Sequence, residues 1–189
     1  AAAKLILSYP VWKGTLSIGT EFTSSRIRGE YANAEQYVAA SNTKIEEHNI
    51  AGFAEYGLKF GDITVNAGVR YENVKSDYYY FGELQTEPSR RYSDWFLSAS
   101  MSWNSDKWAL QLAYTCKTQR PSYNSLRDEV QYDNRYTYEG GNPYLCPCII
   151  NNVDLNVVYD WLSFNAGYNY IDKPMVWIAT LYQGKDIVF

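Results

Sequence analysis

The chain has no long hydrophobic run. Nothing in its 189 residues approaches the roughly 20 consecutive apolar positions that a membrane-spanning helix requires, and the mean hydropathy is only −0.41. A helical membrane protein is thereby excluded, but a β-barrel is not, because a polar inner face hides an apolar outer one from any average. Basic charge is scarce as well. The net charge is −4 and the isoelectric point lies near 5.1. Arg26 with Arg28, and Arg90 with Arg91, are isolated pairs rather than a basic stripe, so no nucleic-acid partner is expected. Histidine occurs once, at His48, which leaves no means of assembling nucleophile, base and orienter, and no enzymatic activity is expected.

Cysteine is nearly as rare. Cys116, Cys146 and Cys148 form an odd set from which no disulfide framework follows. Cys146-Pro147-Cys148 lacks the second ligand pair of a zinc site and His48 is remote in sequence, so the two thiols read as ordinary loop cysteines. Gly140-Gly141-Asn142-Pro143 lacks the lysine of a phosphate loop and reads as a turn. Asp128, Glu129 and Asp133 do not have calcium-loop spacing. No metal or cofactor is expected. Ala1 to Leu7 lacks the basic region and long apolar run of a signal peptide.

What the sequence does have is alternation. Trp108, Leu110, Leu112, Tyr114 and Cys116 share one parity while Ala109, Gln111, Ala113, Thr115 and Lys117 share the other. Successive strand side chains point to opposite faces, so this is a two-faced strand. Ile63 to Asn73, Thr15 to Phe22, Trp95 to Trp103 and Leu162 to Tyr170 repeat the pattern. In all of them Glu21, Arg70, Glu72 and Lys117 fall on the polar parity, and the apolar parity stays uncharged. A soluble sandwich would also alternate. It would not account for 19 Tyr and 6 Trp as well as membrane interfaces do, where an amphipathic ring sits between hydrocarbon and headgroup.

The connections sharpen the choice. Trp12-Lys13-Gly14, Phe60-Gly61-Asp62, Asn104 to Lys107 and Asp160-Trp161 read as tight turns. Between them, Thr23 to Lys44, Val74 to Tyr92 and Thr118 to Ile149 read as long loops. Short turns at one end and long loops at the other are the habit of outer-membrane barrels. About eight strands can be counted, from Lys4–Val11 to Leu162–Tyr170, with Ile171 to Phe189 able to add part of a ninth. Those near 10 residues match the roughly 9 to 11 that a tilted spanning strand needs. The expected fold is all-β, an antiparallel up-and-down transmembrane β-barrel in the cell outer membrane, with residues 1–189 as one barrel segment against the lipid bilayer.

Several motifs resemble the TonB-dependent outer-membrane receptors, and within them an outer-membrane β-barrel family of Bacteroidetes. They are Lys4 to Pro10 with Gly14 to Gly19, Ile45 to Phe53 with Val65 to Glu72, and Gln119-Arg120-Pro121-Ser122-Tyr123-Asn124-Ser125-Leu126 with Gly141-Asn142-Pro143-Tyr144-Leu145 and Asn151 to Leu155. The resemblance implies a segment of a larger barrel that takes up a nutrient through its loops and lumen. It further implies a plug domain and TonB as partners, and a surface lipoprotein as a possible one. The competing expectation is a small barrel closed at eight strands with an adhesive or structural role, which requires the first strand to pair with the eighth.

The candidate ligand-binding residues are Arg70 and Glu72, placed in the lumen, and Tyr78, Tyr79 and Tyr80, placed together in a loop. For the charged pair the plainer reading is a ladder of mutually paired lumen charges. For the tyrosines it is girdle or loop packing.

Overall fold

A computed structural model describes residues 1–32, 40–128, 130–133, 136–182 and 185–188. Eight strands form one antiparallel sheet: β1 (Ala2–Val11), β2 (Gly14–Tyr31), β3 (Ser41–Phe60), β4 (Ile63–Tyr80), β5 (Glu83–Asn104), β6 (Trp108–Gln119), β9 (Cys148–Tyr159) and β10 (Leu162–Asp172). Their order in the sheet is β1-β2-β3-β4-β5-β6-β9-β10, a meander interrupted between β6 and β9. That excursion and the segment after β10 contribute β7 (Val130–Tyr132), β8 (Thr137–Gly140), β11 (Ala179–Tyr182) and β12 (Lys185–Val188) to a second, four-stranded sheet. Among the described residues β1 pairs only with β2 and β10 only with β9, so the large sheet is open.

All four short turns stand where the sequence places them. Trp12, Gly61 and Asp160 each open a two-residue connection with φ of 53°, 57° and 50°, the left-handed backbone that lets a hairpin reverse without splaying its strands. The long-loop expectation holds only between β6 and β9. In the other two places the strands continue. β4 runs on to Tyr80 and returns through Phe81-Gly82, both at positive φ, and β2 and β3 reach Tyr31 and Ser41. Tyr78, Tyr79 and Tyr80 therefore belong to a strand, and Cys148 opens β9 instead of lying in a loop. Among the described residues, the segment after β10 adds no ninth strand to the large sheet, since β11 and β12 join the second one.

Registered partners in antiparallel strands share a face, so the pairing assigns every side chain. One face carries Leu7, Ile18, Ala54, Val69, Leu97, Leu112, Leu155 and Ala166. Nothing covers it among the described residues: Leu7, Trp95 and Tyr168 are 67%, 65% and 66% exposed. A water-soluble domain would bury such a face, whereas a barrel offers it to lipid. No described residue of this outer face between its aromatic borders is charged.

Those borders are visible. At the turn end, Trp108 and Tyr159 meet with ring centroids 4.4 Å apart, and the Lys13 ammonium lies 4.8 Å from the Phe60 ring. At the other end, Tyr71 and Trp95 pack at 4.8 Å. The Tyr114 hydroxyl donates to the Asn151 side chain at 2.8 Å, pairing the outward-facing amide near that border of β9. Trp95 and Trp103 stand eight residues apart on β5. At about 3.3 Å per residue and a tilt near 40°, that separation is about 20 Å in height, close to the apolar band of an outer-membrane barrel.

The inner face is where the core sits. Ala51, Val74 and Phe96 are 1%, 0% and 7% exposed, and all three point inward by register. Above Ser98, which pairs with Thr115, β5 and β6 separate. The β4–β5 hairpin rises well past the level where β6, β9 and β10 end, so one side of the rim is tall and the other low.

Candidate functional site

The inner face carries a connected line of charge at mid-sheet. Glu21 on β2 accepts from Arg70 Nη1 on β4 at 3.2 Å, and Glu72 accepts from Arg70 Nε at 2.6 Å. The second oxygen of Glu72 accepts from Arg120, just beyond β6, and Arg120 Nε also donates to the Tyr92 hydroxyl on β5 at 3.2 Å. Arg70 and Glu72 are two residues apart on one strand, so the period of two puts them on one face. Each carboxylate oxygen of Glu72 has its own guanidinium, an arrangement of charge-assisted hydrogen bonds stronger than neutral ones. Burial raises the Tyr92 phenol above its ordinary value despite the opposing pull of Arg120. Burial also disfavours the Arg120 cation, but Tyr92 and Glu72 more than offset it and hold the group charged.

Phe53 supports this line from below. It is the registered partner of both Gly19 and Arg70, and its ring lies 5.2 Å from the Lys4 ammonium and 5.9 Å from the Arg70 guanidinium. A ring between two cations fixes both stems while its quadrupole attracts each head.

Over the upper inner face lies the connection between β6 and β9. Its two motif halves fold onto each other: Asn142 N–H donates to the Ser125 carbonyl at 2.7 Å, and Ser125 N–H to the Ser122 carbonyl at 3.0 Å. The side chain of Asn142 caps the turn by accepting from Tyr144 N–H at 2.9 Å. Gly141 is required there, because a Cβ would stand 2.5 Å from the Arg127 carbonyl and 2.8 Å from that of Ser125. Arg90 on β5 then pins the unit to the wall, donating to the carbonyls of Leu145 and Pro143, the latter at 3.1 Å, and lying 3.1 Å from Cys146 Sγ. Cys146 is exposed and Cys148 buried, and both are free thiols.

Two of the cavities that border this unit concern the site. One of about 270 Å³ lies between the wall and the folded unit, lined by Ile45, Tyr78, Tyr92, Arg120 and Leu126. The larger, about 690 Å³, opens between the unit and the segment after β10, with Gln119, Asp128, Asn142 and Tyr144 on one side and Met175 to Ile178 on the other. Its size falls within the roughly 300–1,000 Å³ of small-molecule sites, and its lining sets an apolar wall against polar groups that include Gln119, Arg120, Asp128 and Asn142.

The sequence-predicted residues separate here. Arg70 and Glu72 come together in one network. The three tyrosines do not make one platform, because consecutive strand residues alternate faces. Tyr78 is buried inside, Tyr79 lies outside with the Lys44 ammonium 4.6 Å from its ring, and Tyr80 packs edge-on to Phe81. Arg120, Tyr92, Arg90 and the cavity residues Tyr144 and Trp177 escaped the sequence reading as site residues. Arg120 and Tyr144 lay within the quoted motifs, but as signs of kinship only. Glu129, considered for calcium, lies outside the described residues.

Comparison with solved structures gives a likeness to the alcaligin outer-membrane receptor FauA from Bordetella pertussis, with a TM-score of 0.51 at 14% identity, covering 97% of this chain and 30% of that one. The siderophore receptor PirA from Pseudomonas aeruginosa aligns with a TM-score of 0.40 at 14% identity, over 99% of this chain and 49% of that one. The chain thus spans about a third to a half of the length of these receptors. The first likeness shows the fold alone, and it is the fold the register describes. No functionally curated protein matches. The family model of the outer membrane protein beta-barrel family matches residues 1–188, and with an apolar outer band, aromatic borders and a polar inner face, the chain belongs to that family and to the outer membrane.

Proposed function

We propose that this chain is part of the barrel of a TonB-dependent receptor that takes up a nutrient, binding it in the loops and upper lumen. The observation that carries the reading is the folded unit between β6 and β9. It is pinned inward by Arg90 over a charged inner face, and it leaves a cavity of about 690 Å³ at the rim. An adhesive barrel works through outward loops and has no need of an inturned one. Tyr144 and Trp177 supply flat apolar surface, and Gln119, Asp128 and Asn142 supply hydrogen bonds, as a small polar solute with apolar patches requires. On this reading a plug domain packs against the inner face near Arg70 and Glu72, TonB supplies the energy that moves it, and a surface lipoprotein can cover the rim. The protein acts without catalysis.

The test uses the whole native protein extracted from outer membranes. A mature polypeptide much larger than this 21.8 kDa segment, whose thermal shift with iron chelates, glycans or peptides is lost in Trp177→Ala, supports the receptor. A mature polypeptide of about this size, with β1 and β10 joined by an engineered cysteine cross-link, establishes the small closed barrel instead.

A further inference from the structure

We propose that the rim cavity of about 690 Å³ selects a small organic cation, its ammonium or guanidinium group seated on Asp128 beside the aromatic surfaces of Tyr144 and Trp177. The inference rests on the reading of that cavity as the ligand site and adds the charge class of the ligand.

The cavity does not stand alone. Another of about 360 Å³ lies between the inturned unit and the tall β4–β5 hairpin, with Tyr78, Tyr80, Gln85 and Glu87 on the hairpin side. Asp128, Pro143 and Tyr144 line both, so the two adjoin across this short stretch of the unit. A bulge in β5 makes the space. Ser76 pairs with Arg90 and Tyr78 with Gln85, which leaves Asp77 alone opposite Thr86 to Ser89. Pro88 has no N–H to give the ladder, and Ser89 Oγ closes the bulge by accepting from Tyr78 N–H at 3.0 Å. Glu87 is left exposed at the edge of the cavity.

Charge decides the class of solute. Among the described residues that line the two cavities, the charged ones are Arg120, Asp128 and Glu87. Arg120 is already engaged by Glu72 and Tyr92, within a set of Glu21, Arg70, Glu72 and Arg120 whose charges cancel. Neighbouring Arg127 pairs with Glu139 at 3.3 Å, and Arg90 is taken up by the carbonyls of Leu145 and Pro143. Asp128 and Glu87 form no ion pair or hydrogen bond among the described residues. The adjoining cavities thus hold unbalanced negative charge, and a recess lined by one sign of charge concentrates the opposite ion and repels its own.

Asp128 also differs from a solvated surface acid in its company. Tyr144 and Trp177 line the same cavity and are 56% and 62% exposed. The face of an aromatic ring attracts a cation through its quadrupole, Trp most strongly. A carboxylate with exposed rings therefore suits an organic cation better than a bare metal ion, since the rings and the nearby Met175 and Ile178 receive its hydrocarbon part.

The native protein is titrated calorimetrically in detergent with spermidine, with triacetylspermidine as the neutral counterpart and citrate as the anionic one. Spermidine should bind, triacetylspermidine at least about tenfold more weakly, and citrate not at all. Asp128→Asn should weaken spermidine at least about tenfold, and Trp177→Ala about three- to tenfold. Asp106→Asn, the same charge change in the turn at the opposite end of β5, should leave binding unchanged. Heat-modifiable migration on gels confirms that each variant is folded, and Glu87→Gln, with an expected loss of about threefold, takes the place of Asp128→Asn if that variant fails to assemble. Equal binding of spermidine and its triacetyl form, undiminished binding in the folded carboxylate variant, or full displacement of spermidine by millimolar Mg²⁺ would overturn the assignment. A neutral or anionic solute that binds in a Trp177-dependent way while spermidine does not would remove this inference and leave the receptor reading standing.

Discussion

The Phe53 ring lies directly over Gly19, its registered partner on β2, so closely that a Cβ on Gly19 would collide with the ring and come 2.7 Å from the Leu5 carbonyl. The missing side chain makes room for the aromatic one, and Phe53 in turn steadies Lys4 and Arg70. Gly19→Val should therefore cost about 1–3 kcal/mol of stability through displaced packing. Its urea midpoint in detergent should fall, and Gly52→Val, where open space surrounds the Cβ position, should lower it far less. Equal losses would mean that the ring's seat is unimportant.

Leu112 and Gln111 are neighbours on β6 with opposite fates. Leu112 faces outward in the band and is 43% exposed, while Gln111 faces inward beside Asn156. Leu112→Arg should cost about 2–4 kcal/mol in the bilayer and reduce the folded fraction in outer membranes, whereas Gln111→Arg should assemble normally. The same behaviour from both would reverse the face assignment.

Glu72 serves two guanidiniums, and its residue is only 8% exposed. Glu72→Ala leaves Arg70 and Arg120 facing each other without their shared anion, at a cost of about 1–3 kcal/mol. A double-mutant cycle with Arg120→Ala measures the coupling. Removal of both should recover part of the loss, since the unpaired cation goes with its partner. Simple additivity would show that the two do not interact.

Arg90 holds the inturned unit through backbone carbonyls of Leu145 and Pro143. Arg90→Ala should speed maleimide labelling of Cys146 several-fold and leave buried Cys148 protected. The urea midpoint of the barrel should shift little. Unchanged labelling would indicate that the unit is held by other means.

Much of the sheet was readable because lipid imposes a simple rule. β6 matches its expected span to one residue, since Trp108 to Cys116 alternate between hydrocarbon and lumen. Beyond Phe22 and Asn73 the strands continue, yet the pattern disappears. Above the apolar band the outer face no longer meets hydrocarbon and carries Arg26, Glu46, Lys75 and Asp77 in place of apolar residues, while the inner face is covered by the connection between β6 and β9. Length-10 strands were thus the membrane-crossing parts of strands up to 22 residues long. Arg70 and Glu72 were legible as lumen residues from parity alone. The inturned unit was not, because Arg90 grips main-chain oxygens that every residue possesses and no side-chain spacing announces them.

The open edges of β1 and β10 tie membrane insertion to strand pairing. Along a strand of about ten residues, half the N–H and C=O groups point away from the existing partner, and in hydrocarbon each unpaired group costs on the order of several kcal/mol. Summed along either edge, that exceeds the roughly 5–15 kcal/mol that holds an ordinary domain together. A half-inserted sheet with a bare seam therefore has no stable resting place in the bilayer. Entry into the membrane and matching of the seams are therefore coupled: β1 and β10 have to be paired wherever the sheet lies in hydrocarbon.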